Sequence, residues 1–217
     1  MKFKGAIFDM DGLLLDTEKL YTRFWCEAGQ QCGYPFELKH ALSLRSLSKE
    51  LAIQKLKGYF GQDFDYQSVH DLRVVLMDKF IKENGVEAKK GASELLDYLR
   101  QNNYKIALAT SSPLERASEH LSLVGLYDFF DAFACRPMVK FGKPAPDIYL
   151  LACDKLGLAP QECVALEDSP TGVRSAFSAG CSVINVPDMD KPDAETQKML
   201  FACCKDLGQV IDLLRSI

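Results

Sequence analysis

Five short apolar runs, separated by stretches with helical spacing, set the architecture open to this chain. The runs occupy residues 3–8, 105–109, 132–135, 163–166 and 182–186. Each has the length of a strand and is bounded by polar or turn-forming residues. Apolar residues recur at helical spacing over residues 92–101, through Leu95, Leu96 and Leu99, and the same spacing returns over 115–124 and 147–156. A further helix over residues 171–179 closes on Gly180, a residue suited to the left-handed conformation that ends helices. Such alternation predicts a parallel sheet covered on both faces, a three-layer, Rossmann-like α/β core.

The alternation breaks once. From about residue 18 to 87 there are helical patterns but no convincing strand. Turn signals fall at Gly33-Tyr34-Pro35 and over residues 58–65, and a long helix is predicted for residues 66–83. The expectation is an all-helical cap domain, residues 17–87, inserted into an α/β core formed by residues 1–16 and 88–217. A chain of 217 residues has room for one domain with a sizeable insertion.

A net charge of −4 argues against nucleic-acid binding, which calls for a basic excess. No apolar stretch approaches the length of a bilayer span. Met1-Lys2-Phe3-Lys4 runs directly into the first apolar run, so no signal-peptide pattern is expected, and the location expected is cytoplasmic. Eight cysteines are present, but none forms a C-x-x-C pair and none has zinc-site spacing with histidine. Several lie in apolar runs, as in Glu162-Cys163-Val164-Ala165-Leu166, and read as small buried hydrophobes in a reducing compartment.

Polar residues gather where the predicted strands end, and ligands of open parallel sheets bind beyond the carboxyl ends of the strands. Asp9 and Asp11, in Phe8-Asp9-Met10-Asp11-Gly12, follow the first run. Strand alternation puts residues i and i+2 on one side, so both carboxylates can face one point. Two carboxylates there are costly without a cation, and a hard cation with oxygen ligands, Mg²⁺ above all, suits them. Asp9 could also serve as a nucleophile, being ionised without help from a base. Turn and capping acids are the plainer reading of Asp-x-Asp-Gly taken alone.

Thr110-Ser111-Ser112 follows the second run and Glu167-Asp168-Ser169 the fourth, and Lys143 stands in Gly142-Lys143-Pro144-Ala145-Pro146-Asp147 between the third and fourth. Singly, these could be a helix cap, a helix start and a turn lysine. Together they permit phosphoryl transfer. Asp9 would attack phosphorus, and Asp168, with Glu167 as a further candidate, would complete the ligands of Mg²⁺. Thr110, Ser111 and nearby backbone N–H groups would hold the phosphoryl oxygens. Lys143 would add positive charge in the transition state, and Asp11 would act as acid and then base.

With these residues in view, the chain resembles the phosphohydrolases of the haloacid dehalogenase superfamily that carry a helical cap. Four stretches carry the resemblance, in order: residues 8–18 from Phe8 to Glu18, Ala109-Thr110-Ser111-Ser112, Lys143 within residues 142–147, and Glu167-Asp168-Ser169-Pro170-Thr171-Gly172-Val173. The resemblance implies Asp9 as nucleophile, Asp11 as acid/base, and Asp9, the Asp11 carbonyl and Asp168 as Mg²⁺ ligands. Within the superfamily the chain looks most similar to the β-phosphoglucomutase-like branch, which includes sugar-phosphate phosphatases, pseudouridine-5′-phosphatases and mutases. The mutase pattern has a histidine where this chain has Tyr21, and a cap arginine for which Lys49 is the nearest match and Arg45 a second candidate, in residues 43–51. Arginine and lysine meet phosphate with different geometry.

The resemblance therefore implies a Mg²⁺-dependent phosphatase of a small phosphorylated metabolite, a sugar phosphate or nucleotide-like, as monomer or weak dimer, with no nucleic-acid or membrane partner. The alternative is a β-phosphoglucomutase-type phosphomutase. Dehalogenases of the superfamily usually lack an aspartate at the Asp11 position, phosphonate cleavage replaces it too, and a non-enzymatic binding module would have lost a core residue.

Overall fold

The computed structural model describes residues 3–45, 47, 49–189 and 191–217. Met1 and Lys2, and two positions of the 43–51 segment, Ser46 and Ser48, lie outside the described residues. The chain divides into two compact units. One holds the residues up to Asp16 and from Val86 onward, and the other spans Thr17–Gly85.

The first unit is built on β1 (Gly5–Phe8), β2 (Lys105–Thr110), β3 (Ala132–Cys135), β4 (Cys163–Glu167), β5 (Ser182–Asn185) and β6 (Leu200–Cys203). The strands form one sheet in the order β3-β2-β1-β4-β5-β6, and every neighbouring pair is parallel. This is an α/β, Rossmann-like parallel-sheet core. Alternation along the strands feeds two separate cores. Ala6, Phe8, Ile106, Leu108, Val164 and Leu166 pack to one side, while Ile7, Ala107, Ala109 and Ala165 pack to the other. A strand buried on both faces must be apolar throughout, which is why β1, Gly-Ala-Ile-Phe, is wholly buried.

The α-helices found among the described residues are α1 (Glu18–Gln31), α2 (Leu38–Leu42), α3 (Lys49–Phe60), α4 (Tyr66–Asn84), α5 (Ala92–Gln101), α6 (Leu114–Leu123), α7 (Asp147–Leu156), α8 (Pro170–Ala179), α9 (Ala194–Gln197) and α10 (Leu207–Arg215). Leu95, Leu96 and Leu99 of α5, Leu121 of α6 and Val210 of α10 cover one face of the sheet. Ile148, Tyr149 and Ala152 of α7, with Val173 and Ala176 of α8, cover the other. Gly180 ends α8 in the left-handed region, at φ +91°. The chain leaves and re-enters this unit along paired backbone. The Asp16 amide donates to the Glu87 carbonyl at 2.9 Å, and the Lys89 amide to the Leu14 carbonyl at 2.8 Å.

The second unit holds α1 to α4, and no strand is found among its described residues. Its core stacks rings: Trp25 on Phe36, Phe36 on Phe60 and Phe60 on Phe64.

Four expectations need correction. The first strand begins at Gly5, two residues later than expected. A sixth strand, β6, lies at the sheet edge and alternates between half-buried and exposed residues, so its four residues lack the strong apolar signal of the inner strands. Gly58 lies inside α3 rather than in a turn, because Leu56 and Phe60 anchor the last helical turn in the core, and the turn starts at Gly61 (φ +100°). The cysteines are all free but not all buried: Cys26 and Cys32 are half-buried and Cys203, on the edge strand, is exposed. No helix among the described residues is long and apolar enough to cross a membrane.

Candidate active site

The order β3-β2-β1-β4-β5-β6 reverses direction between β1 and β4. A crevice opens at such a reversal, beyond the carboxyl ends of the strands. Asp9 directly follows β1, and its amide donates to the Leu166 carbonyl of β4 at 3.1 Å. Glu167 is the last residue of β4, and Asp168 follows it. One carboxylate oxygen from each of Asp9, Glu167 and Asp168 lies within 4.8 Å of the other two.

Lys143 is inserted among them. Its Nζ donates to Asp9 Oδ1 at 2.6 Å and also to Glu167 Oε1. The Lys143 side chain is only 8% exposed, although it comes from a loop. That loop is tied down at both ends. Ser175 Oγ of α8 donates to the Ala145 carbonyl at 2.6 Å, and the Phe141 amide donates to Asp147 Oδ1 at 3.2 Å.

Glu167 is completely buried. Beyond Lys143, its Oε1 accepts from the Tyr149 hydroxyl at 2.6 Å and its Oε2 from Ser169 Oγ at 3.2 Å. Its backbone carbonyl accepts from Asn185 Nδ2 at 2.8 Å. Ser169 in turn caps α8, accepting from the Gly172 amide at 3.2 Å.

Asp11 lies past the end of β1, where the chain turns through Gly12 (φ +81°), so the alternation expected of a continuing strand does not apply to it. Its carboxylate is not one of the close trio; its Oδ2 accepts from Ser112 Oγ at 3.3 Å. Thr110 is buried at the end of β2, with its Oγ1 accepting from the Ser112 amide at 3.1 Å, and Ser111 beside it is exposed. The three remaining candidates belong to the helical unit. Arg73 places its guanidinium 4.8 Å from the Tyr21 ring centroid. Lys49 Nζ donates to Gln67 Oε1 at 3.1 Å and lies 5.8 Å from the Tyr66 ring centroid. Arg45 is half-buried just beyond α2.

The electrostatics follow from crowding acids in a dry place. Burial is the largest influence on Asp9 and pushes its carboxyl up to about 7; Lys143 pulls the other way, while Glu167 and Asp11 add repulsion. Burial acts to lower the Lys143 ammonium, but the Asp9 and Glu167 charges overcome it and hold the group above its ordinary value. The three clustered carboxylates offer hard oxygen donors, which fit a divalent cation such as Mg²⁺.

Tyr149, Ser169, Gly172 and Asn185 were not singled out by sequence reasoning as parts of this network. Tyr149 sits on the apolar stripe of α7 and reads there as a core aromatic. Ser169 and Gly172 were legible only as parts of the fourth motif, and Asn185 only as the end of a strand.

Residues 3–180 match the family described as haloacid dehalogenase-like hydrolase. The chain belongs to that family. Haloacid dehalogenase-like enzymes use a divalent metal, in keeping with the carboxylate trio. Two relatives are each 34% identical to this chain. One is a phosphorylated carbohydrates phosphatase of Thermotoga maritima, over 181 residues covering 82% of each chain. The other is a probable pseudouridine-5′-phosphatase of Drosophila melanogaster, over 195 residues covering 86% of this chain and 83% of the relative. A solved structure of a putative β-phosphoglucomutase from Thermotoga maritima superimposes over 100% of both chains, with a TM-score of 0.78 and 26% identity. This haloacid dehalogenase-like protein is an enzyme of the phosphoric monoester hydrolase class.

Proposed function

We propose that this enzyme is a Mg²⁺-dependent phosphatase of small phosphorylated metabolites, sugar phosphates or nucleotide-like monophosphates, working through an aspartyl-phosphate at Asp9. What carries this reading is one juxtaposition: the Asp9 carboxylate at the end of β1, bridged by Lys143 to Glu167 and gathered with Asp168.

Asp9 attacks phosphorus, forming an Oδ–P bond as the bond to the ester oxygen breaks. Asp11 delivers its proton to the departing alkoxide, which leaves as an alcohol. Water then attacks phosphorus, the Oδ–P bond breaks, and Asp11 takes the proton back from that water. Lys143 stabilises the charge that builds on the phosphoryl oxygens, while Thr110, Ser111 and neighbouring backbone N–H groups hold those oxygens in place. Asp9, Asp168 and the Asp11 carbonyl, with Glu167 as a further carboxylate, would hold Mg²⁺, which when bound screens the anions from one another and polarises the phosphoryl group. Tyr21, Arg45 and Lys49 are the substrate candidates that the family resemblance contributes.

The names of the two phosphatase relatives, one for phosphorylated carbohydrates and one for pseudouridine 5′-phosphate, support the substrate class. The mutase reading draws on the whole-chain likeness to the putative β-phosphoglucomutase. Tyr21 offers no imidazole where the mutase pattern places one, so water is the acceptor assigned here. Incubation with β-glucose 1-phosphate, with and without glucose 1,6-bisphosphate, separates the two. Inorganic phosphate independent of the bisphosphate is the expected product. Glucose 6-phosphate accumulating without free phosphate would make the enzyme a mutase.

A further inference from the structure

The geometry points to Tyr149 as a positioning residue that acts through Glu167 to aim Lys143 at Asp9. This rests on the assignment of Asp9 as nucleophile and Lys143 as its charged partner. Tyr149 is completely buried on α7, and a phenylalanine would fill the same apolar space among Ile148, Ala152 and Ala165. Carrying a hydroxyl into that space is costly unless it finds a partner. It finds Glu167 Oε1, at 2.6 Å, the same oxygen that accepts from Lys143.

The consequence is mechanical. Three donors reach the Glu167 carboxylate from three directions: Lys143 Nζ and the Tyr149 hydroxyl on Oε1, and Ser169 Oγ on Oε2. With both oxygens engaged, the carboxylate has one orientation. Lys143 reaches this group from a loop on a long side chain, which has more rotatable bonds to fix than its partners have. It is held by the fixed Glu167 on one side, and the Tyr149 ring centroid lies 5.2 Å from its Nζ. Tyr149 thus contributes twice, by locking Glu167 with its hydroxyl and by presenting its ring to the ammonium. Without the hydroxyl, Glu167 can turn, and Lys143 follows it away from Asp9. The substrate meets neither Tyr149 nor Glu167 in this scheme, so the loss should fall on turnover and not on substrate binding.

Tyr149→Phe keeps the ring and removes the hydroxyl. With p-nitrophenyl phosphate and saturating Mg²⁺, kcat should fall about tenfold, the scale of one hydrogen bond to a charged group, with KM changed less than about twofold. Tyr149→Leu should fall further, because the ring is lost too. On a Glu167→Gln background, Tyr149→Phe should cost less than about twofold, since its effect passes through the Glu167 charge. In metal-free protein, acetic anhydride should acetylate Lys143 several-fold faster in Tyr149→Phe than in wild type, a readout independent of turnover. Acid-quenched phosphoenzyme is measured on wild type in parallel. If none forms, the Asp9 assignment fails. If it forms but Tyr149→Phe turns over and labels like wild type, or costs as much on the Glu167→Gln background as alone, Tyr149 is only a core aromatic.

Discussion

A Cβ placed on Gly172 would lie 1.9 Å from Cδ of Glu167. The glycine in the first turn of α8 therefore clears the space that the Glu167 side chain occupies, and no larger residue fits while Glu167 keeps its three donors. Gly172→Ala should displace Glu167 and with it Lys143. The expected outcome is a destabilisation of about 1–3 kcal/mol, typical of overpacking, with phosphatase activity lost beyond what the lower stability explains. Thermal unfolding and turnover at a temperature where the variant is fully folded check it. Unchanged kcat in the folded variant would mean that Glu167 does not aim Lys143.

Asp9→Asn should lower kcat by at least about a thousandfold, in line with the loss of a nucleophile, while the protein stays folded. An amide is a poor nucleophile and a poor ligand for a hard cation. Acid-quenched protein should carry phosphate on wild type and none on the variant. A folded Asp9→Asn retaining a few per cent of the wild-type rate would remove covalent catalysis from the scheme.

Metal removal gives a separate handle. EDTA should silence the enzyme, and Mg²⁺ should restore it. Asp168→Asn should raise the Mg²⁺ concentration for half-maximal rate steeply, because one of three clustered carboxylates is lost. Calcium should replace Mg²⁺ poorly, as its looser coordination shell misplaces the reacting groups. A Mg²⁺ titration of turnover for both proteins reads this directly, and full activity in EDTA would point away from phosphoryl transfer.

Without metal, stability should carry the imprint of Asp9. Its carboxyl is raised by burial from an ordinary 3.8 to about 7 in the folded protein. Between those values the folded state holds a proton that the unfolded chain has released. Unfolding then releases a proton, and its free energy falls as pH rises through that window. Relative to Asp9→Asn in EDTA, the wild-type unfolding temperature should decline from about pH 4 to about pH 7 and level off above. In the proposed scheme Mg²⁺ would bind the ionised carboxylate, so its stabilising shift should be larger at pH 8 than at pH 5. Parallel curves for the two proteins across this range would show that burial does not keep Asp9 protonated.

Much of this enzyme could be read from the chain alone. Local patterns carry the strands and helices: β4 is apolar at four successive positions because both its faces are buried, and α5 shows Leu95, Leu96 and Leu99 on one side because only that side meets the sheet. Motifs at or just past strand ends marked Asp9, Asp11, Thr110 and Asp168 as candidates, since a parallel sheet delivers its strand ends to one edge, and a loop motif between β3 and β4 marked Lys143. The edge strand β6 escaped notice because an edge strand need not be apolar on both faces, and Gly58 read as a turn because local propensity says nothing about the packing of Leu56 and Phe60 around it. Only the tertiary structure decided which side chains touch. Lys143 meets Asp9 across a separation of 134 residues, and Tyr149 meets Glu167 across 18, with nothing in their local patterns to pair them. The physical reason is that spacing along a chain encodes which face a residue takes, whereas hydrogen bonds and raised acidities arise from distances in space, which are set when the sheet closes β1 against β4.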